Sequence, residues 1–297
     1  MSILNNFSRT GNFTSSQIGK LMTYGKDGKS FGKPALTYID ERNMERRLGR
    51  SLQTEISSRP TSWGHTLEGV VFNILETNYK LSSDETITHP TIPFFCGSPD
   101  GVKYEEGGKI DAVFDFKSPF TLKSFCLLVD AKNIETLRET HPEGDTYYWQ
   151  IVANSILTGA KFGEIIVFVP YLDELEMVKE VTGNMFESQQ NKAAWINFAN
   201  DNDLPYLLRG GHYQNLNIIR FPILPSDQKD LLDRIVEAGK LLIQLPKKKA
   251  PKKEKDAADE AIDILLPKNL PPIVSEDQRK QARAKLEEWL KLKSLSI

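Results

Sequence analysis

Residues 112–117 read Ala112-Val113-Phe114-Asp115-Phe116-Lys117, an apolar run broken by one carboxylate and one ammonium group. Its β-branched and aromatic residues follow the turn Glu106-Gly107-Gly108, which predicts a strand. Because side chains alternate along a strand, Asp115 and Lys117 share one face. Unpaired charges in an apolar run are costly, so something must compensate both. A metal ion beside Asp115 would do so, and a solvated face with a cross-strand ion pair is the alternative.

The flanking sequence predicts further strands and helices around this run. Short β-prone runs typical of a β-meander, and two later strands, cover Thr86–His89, Phe94–Cys96, Gly101–Tyr104, Glu164–Val169 and Asn217–Phe221. Helical periodicity or capping serines predict helices within Pro34–Glu55, Trp63–Tyr79, Tyr147–Thr158 and Ser226–Leu245. A short helix at Thr14–Gln17 with a capping hydroxyl precedes the glycine-rich loop Gly19–Gly32. The pattern predicts an α/β core.

Composition and length predict one main domain with an appendage. The 297 residues are 39% hydrophobic and 26% charged, which is enough for one sizeable mixed core. Residues 1–245 form the predicted domain, with a less regular stretch at 172–211. Residues 246–274 are charged and rich in proline, which predicts a linker, and residues 275–297 carry an amphipathic pattern that predicts a terminal helix.

Several classes of protein are excluded by the same composition. No apolar run approaches the roughly 20 residues of a membrane span, and the polar start lacks a secretory signal, so a cytoplasmic protein without a membrane association is expected. Cys96 and Cys126 are too few for a disulfide framework and form no CxxC pair. The formal net charge of −2 excludes a global basic field, so any contact with nucleic acid must be local.

Three polar side chains outside the strand have types suited to metal-assisted hydrolysis, although each has an ordinary structural explanation. Asp100 precedes a glycine, as turn aspartates do. Glu68 lies early in a predicted helix, where the dipole favours an acid. Gln150 and Asn154 have the spacing of a surface amide pair. Phosphodiester hydrolysis needs divalent ions held by hard oxygen ligands, so carboxylates from different elements would have to converge.

Taken in order, these features resemble the PD-(D/E)xK nucleases of the restriction-endonuclease-like fold, specifically the phage lambda exonuclease family of YqaJ-type viral recombinases. The resemblance covers roughly residues 7–242. The best matching blocks are SRTGNFTSSQIGKLM, WGHTLEGVVFNIL, CGSPDGV, FDFKSPF and YYWQIVANSILTG. It implies a restriction-endonuclease-like core with a central mixed β-sheet flanked by helices, and it makes residues 172–211 an insertion.

The resemblance also implies roles for the site residues. Glu68, Asp100 and Asp115 would bind Mg²⁺, with Mn²⁺ as a substitute, and the carbonyl of Phe116 would complete the metal shell. Lys117 would position or help deprotonate the attacking water, and Gln150 would steady Lys117 or the nucleophile. Arg9 and Ser16 would hold the 5′-terminal phosphate of DNA; a surface arginine and a capping serine are the alternative.

Two departures from the family pattern are present in the sequence. The family usually has glutamate where Asp115 stands, and its second helix glutamine is replaced near Asn154. Related nucleases tolerate the shorter acid, so activity is still expected, with a different metal geometry as a consequence.

The implied activity is 5′-to-3′ exonuclease digestion of one strand of linear double-stranded DNA to mononucleotides, leaving a 3′ overhang for recombination by single-strand annealing. The implied partners are DNA ends, an annealing protein and further copies of the chain in a trimeric ring. A phage or prophage gene in a bacterial host is the implied source.

Two alternatives stay open at the level of sequence. One is an endonuclease or a Cas4-like end-processing nuclease with the same core; the absence of a cysteine cluster argues against the iron–sulfur members. The other is a catalytically silent DNA-binding protein of the same fold, against which the intact set Glu68, Asp100, Asp115 and Lys117 argues.

Overall fold

The computed structural model describes residues 9–52, 58–75, 77–82, 86–183 and 192–243. The chain divides into two compact units, Met1–Ile243 and Gln244–Ile297, and every described residue belongs to the first. The predicted linker at 246–274 and the predicted helix at 275–297 lie outside the described residues.

The described strands are β1 Phe13–Thr14, β2 Tyr79–Leu81, β3 Ile87–Thr88, β4 Phe95–Gly97, β5 Gly101–Tyr104, β6 Ile110–Lys117, β7 Phe162–Phe168 and β8 Leu216–Pro222. A five-stranded mixed sheet forms the centre of the unit, with strand order β2-β5-β6-β7-β8. Adjacent strands in it are antiparallel except for β6 and β7, which run parallel. A second, three-stranded sheet has the order β1-β4-β3. The predicted α/β class with a central mixed sheet flanked by helices is confirmed.

The predicted meander is divided between the two sheets. β3 and β4 pair with each other in the smaller sheet, whereas β5 and β6 pair in the larger one. β1 joins β4 in parallel, with Thr14 opposite Cys96. The short connection Ser98–Asp100 therefore passes from one sheet to the other, because it links the end of β4 to the start of β5.

Helices flank the larger sheet, and they are α1 Lys33–Leu48, α2 Arg59–Ile74, α3 Leu122–Asp130, α4 Ile134–Thr140, α5 Gly144–Thr158, α6 Leu175–Gly183, α7 Trp195–Phe198 and α8 Pro225–Gly239. α5 ends as predicted at Gly159, whose positive φ of 76° closes the helix. No helix within the described ranges has the length and apolar character required to cross a bilayer.

The predicted capping residue was wrong at two helix starts. The segment Ser15–Met22 is a 3₁₀ helix that extends into the predicted loop, and the side chain of Thr14 does not cap it. α8 begins at Pro225, and its serine, Ser226, lies inside the first turn with its hydroxyl 3.1 Å from Asp227 Oδ1. Proline at the first helical position fixes φ in the helical range and has no N–H that needs a partner.

Alternation along the strands separates two hydrophobic cores on opposite faces of the larger sheet. Val113, Ile165 and Phe221 belong to the first core, together with residues of α5, α1 and the 3₁₀ helix Ser15–Met22. Phe114 and Ile166 belong to the second, together with residues of α2 and α6. Asp115 and Lys117 share the face of Val113 because the period of a strand is two. They therefore face α5.

Gly101, the first residue of β5, is required by packing and not by a turn. A Cβ at this position would lie 2.2 Å from Phe114 Cζ and 2.3 Å from the backbone oxygen of Lys80. We expect Gly101→Ala to lower the free energy of unfolding by about 1–3 kcal/mol, since overpacking forces the backbone to move. Chemical denaturation measures this change.

Gly107→Ala is the matched control for this prediction. A Cβ at Gly107, in the exposed β5–β6 hairpin, meets no heavy atom within 4 Å. Equal stability of the Gly101→Ala variant and this control would show that β2 and β5 do not pack as closely as described.

Candidate active site

Asp115, Lys117 and Gln150 meet at the carboxyl end of β6. Asp115 is buried, and its Oδ1 accepts a hydrogen bond of 2.6 Å from Gln150 Nε2. Its Oδ2 contacts Lys117 Nζ. Gln150 reaches Asp115 because it projects from α5 toward this face of the sheet. The amide therefore holds the carboxylate, whereas the resemblance implied that it would steady Lys117 or the nucleophile.

Asp100 lies beside the same end of β6, at the start of β5. Its Oδ2 accepts a hydrogen bond of 2.7 Å from the backbone N–H of Phe116. Burial, together with the charges of Asp115 and Glu68, raises the pKa of Asp100 well above its ordinary value. The N–H and C=O of one strand residue point the same way, so the carbonyl of Phe116 is directed to the side on which Asp100 lies.

Glu68 is close enough for its charge to act on Asp100, although its side chain is 41% exposed. It projects from α2, on the other side of the larger sheet. Its Oε1 lies 3.2 Å from Nδ1 of His65, and this hydrogen bond raises the pKa of His65 against the effect of burial. The three acids predicted from the sequence therefore come from α2, the β4–β5 connection and β6.

Lys117 has a second neighbour that the sequence did not single out. Its ammonium lies 4.4 Å from the centre of the Tyr147 ring, and its side chain is 18% exposed. Burial by itself lowers the pKa of Lys117, but the carboxylates of Asp115 and Asp100 more than offset this and raise the pKa. The sequence feature that could have pointed to this contact is that Tyr147 lies three residues before Gln150 on the same helix.

Arg9 and Ser16 lie near the β1–β4 pair, where β4 leads to Asp100. Arg9 is half-buried, and its charge acts on the thiol of Cys96 in β4. Ser16 is exposed, with its hydroxyl oxygen 3.5 Å from that of Thr14, which lies opposite Cys96. Neither residue touches Asp115 or Lys117 through a described hydrogen bond or ion pair.

Asn154 is not the surface amide that its spacing suggested. It is fully buried in α5, and its amide nitrogen and oxygen have no hydrogen-bond partner among the described residues. The site of Gly97 lies beside it, because a Cβ there would meet Asn154 Oδ1 at 2.8 Å. The pairing of Gln150 with Asn154 as a solvated surface pair was therefore wrong.

The chemistry of the donor set fits a hard divalent cation. Burial and the charge of the neighbouring Asp115 raise the pKa of Asp100. The buried Oδ2 of Asp115 has no described contact besides the ion pair with Lys117, so it is free to bind a cation. In the ranges that the structure describes, no three acidic, histidine or cysteine side chains are already arranged around one point. Asp115 is turned toward Lys117, and Glu68 toward His65.

Comparison with known proteins gives a family match and a fold match. The profile of the YqaJ-like viral recombinase domain matches residues 7–161, which is more than half of the chain. The alkaline exonuclease LHK-Exo from Laribacter hongkongensis superposes with a TM-score of 0.50 at 16% identity, covering 81% of this chain and 92% of that one. Its complex with dAMP gives 0.50 at 18% identity with the same coverage.

A phage-related exonuclease from Haemophilus somnus 129PT has a TM-score of 0.49 at 14% identity, covering 80% of this chain and 96% of that one. No curated protein sequence matches the chain.

The mixed sheet flanked by helices is similar to the fold of the alkaline exonuclease structures. The chain belongs to the YqaJ-like viral recombinase family. The resemblance seen in the sequence is thereby confirmed, and the findings support a nuclease of the lambda exonuclease family.

Proposed function

We propose that the protein is a Mg²⁺-dependent 5′-to-3′ exonuclease that degrades one strand of linear double-stranded DNA to mononucleotides and leaves a 3′ overhang. The observation that carries this proposal is the convergence of Asp100, Asp115, Lys117 and Gln150 at the end of β6. An acidic pair held beside a mostly buried lysine is suited to activating water next to a phosphodiester.

Each residue has a distinct part in the proposed reaction. Glu68, Asp100, Asp115 and the carbonyl of Phe116 would hold Mg²⁺, or Mn²⁺ in its place, and the ion when bound supplies Lewis-acid stabilisation of the phosphate charge. Gln150 fixes the rotamer of Asp115 through the 2.6 Å hydrogen bond. The Lys117 ammonium orients the attacking water and helps its deprotonation by stabilising the negative charge that forms. The N–H of Phe116 fixes Asp100.

Linear duplexes labelled at one end test the activity, with Mg²⁺ or with EDTA. We expect 5′ mononucleotides to be released with Mg²⁺ and no release with EDTA. Internal cuts in circular DNA would instead identify an endonuclease. Release of nucleotides from the 3′ end would show that digestion runs in the 3′-to-5′ direction. DNA binding without any cleavage would identify the silent alternative.

Arg9 and Ser16 are proposed to bind the 5′-terminal phosphate. A guanidinium–phosphate contact contributes about 1.5–3 kcal/mol, which is roughly a 10- to 100-fold effect on the rate. We therefore expect Arg9→Ala to lose about this factor on 5′-phosphorylated duplexes and to change little on 5′-hydroxyl duplexes. The ratio of the two initial rates is the measurement.

Arg47→Ala is the control for charge, because Arg47 is exposed on α1. A loss of the same size on both kinds of DNA end would exclude Arg9 from recognition of the phosphate.

The biological setting is also a proposal, and it rests on the family. The chain would act in the cytoplasm of a bacterial host, encoded by a phage or prophage, and would deliver its 3′ overhang to a single-strand annealing protein. A trimeric ring around DNA would give processivity. A monomer mass measured by light scattering would contradict the ring.

A further inference from the structure

Among the described residues, two direct contacts hold the ammonium group of Lys117, and they differ in kind. One is the ion pair with Asp115, and the other is the face of the Tyr147 ring at 4.4 Å. A carboxylate neutralises an ammonium and accepts hydrogen bonds from it, whereas an aromatic ring attracts the ammonium through its quadrupole and leaves its charge unneutralised. The attraction of the ring is strengthened here because Lys117 is mostly withdrawn from water.

Tyr147 is itself held by two further contacts. Its hydroxyl donates a hydrogen bond to Glu143 Oε2, just before α5. Its ring also lies 5.5 Å from that of His141, with the two planes 31° apart. The ring is therefore restrained at both its edge and its face.

The same helix supplies both supports of the charged pair. Gln150 contacts Asp115, and Tyr147, three residues earlier, contacts Lys117. Residues three apart on a helix project from neighbouring positions, so one rigid element sets the spacing of the pair. If cation ligation draws Asp115 away from Lys117, the ring is the contact that remains.

We propose that Tyr147 is a positioning residue that seats the Lys117 ammonium at the edge of the site without competing for the carboxylates. This rests on the proposed nuclease function. The ring holds the ammonium beside Asp115 and keeps the long, flexible lysine side chain from turning into solvent. Because the aromatic face makes the contact with the ammonium, the hydroxyl is not required and phenylalanine can replace tyrosine.

Single and double substitutions test this role through the rate of mononucleotide release. Tyr147→Phe keeps the ring, and we expect its kcat to stay within about two-fold of the wild type. Tyr147→Leu removes the ring, and we expect kcat to fall about 10-fold with KM unchanged. In a Lys117→Ala background we expect Tyr147→Leu to have no further effect, because the group that it positions is absent.

Tyr104→Leu is the matched control, since this partly buried tyrosine lies opposite Ile110 at the far end of β6. We expect it to leave kcat unchanged, and thermal unfolding of every variant separates positioning from loss of fold. Equal losses in Tyr147→Phe and Tyr147→Leu, or a further 10-fold loss in the Lys117→Ala background, would overturn the proposal.

A second readout does not depend on activity. The ring current of Tyr147 shifts the ε-methylene protons of Lys117 upfield in an NMR spectrum of lysine-labelled protein, and Lys117→Ala assigns the signal. We expect the shift in the wild type and in Tyr147→Phe, and its loss in Tyr147→Leu. Absence of the shift in an active wild type overturns the role of Tyr147 alone, whereas a folded wild type without nuclease activity overturns the proposed function as well.

Discussion

Asparagine in place of Asp100 is expected to lower the rate of DNA hydrolysis about 1,000-fold while raising the thermal stability of the metal-free protein. The loss of rate follows because a metal ligand contributes several kcal/mol to the transition state, and each 1.36 kcal/mol is a factor of ten. The gain in stability follows because the neutral amide avoids the cost of burying a carboxylate charge and the repulsion from Asp115 and Glu68. The amide oxygen still accepts the hydrogen bond from the N–H of Phe116.

The pH dependence of this stability difference has a definite sign. The folded protein binds a proton at Asp100 more tightly than the unfolded chain does, because the pKa is raised on folding. In the wild type, the contribution of Asp100 to the free energy of unfolding is therefore fully present below the ordinary carboxyl pKa, about 4. This contribution is lost as the pH rises through the raised pKa. The asparagine of the Asp100→Asn variant does not titrate, so this variant loses no stability from that position. The Tm of the variant minus that of the wild type therefore grows with pH across this window.

Added Mg²⁺ provides a test that does not require DNA. We expect Mg²⁺ to raise the Tm of the wild type and to leave that of Asp100→Asn almost unchanged. Glu106→Gln makes the same change of charge in the exposed β5–β6 hairpin and should behave as the wild type does. Full activity of the Asp100→Asn variant would show that Asp100 is not a metal ligand in the reaction.

Replacing Lys117 with alanine is expected to lower the rate about 1,000-fold and to destabilise the metal-free protein by about 3 kcal/mol. The effect on the rate is that of losing the ammonium group that orients the attacking water and stabilises its developing negative charge. The effect on stability arises because the buried carboxylate of Asp115 loses its charge partner and keeps the hydrogen bond from Gln150. Denaturation in EDTA and single-turnover hydrolysis measure the two quantities.

A second substitution separates these two effects. Adding Asp115→Asn to Lys117→Ala removes the unpaired charge, so we expect stability to recover while activity stays lost. Lys109→Ala is the control, because Lys109 is exposed in the β5–β6 hairpin. If the double variant is as unstable as the single one, the ion pair does not explain the loss of stability.

Much of the local structure could be predicted because it depends on short-range patterns. β6 was evident from alternation after a glycine turn, and the end of α5 from Gly159. Capping was less predictable at Thr14 and Ser226, since a hydroxyl near a helix start caps it when the backbone geometry allows and does nothing otherwise. The division of the meander between two sheets depends on β1 pairing with a distant strand.

The candidate site shows the same division between local and distant information. The sequence indicated Glu68, Asp100, Asp115, Lys117 and Gln150, since residue types and order suffice to recognise the family. It did not show that Gln150 binds Asp115 or that Tyr147 lies against Lys117. Those contacts depend on how α5 lies across the sheet, which is decided by the packing of the first hydrophobic core.

By itself, the sequence determined the class of fold, the family and the chemical character of the site, because periodicity, turn residues and the order of charged side chains are properties of the chain alone. The tertiary structure decided which charges neutralise one another, which amide is buried without a partner and which aromatic ring lies against the lysine. These depend on distances of a few ångströms between elements far apart in sequence, and such distances are set by packing in three dimensions.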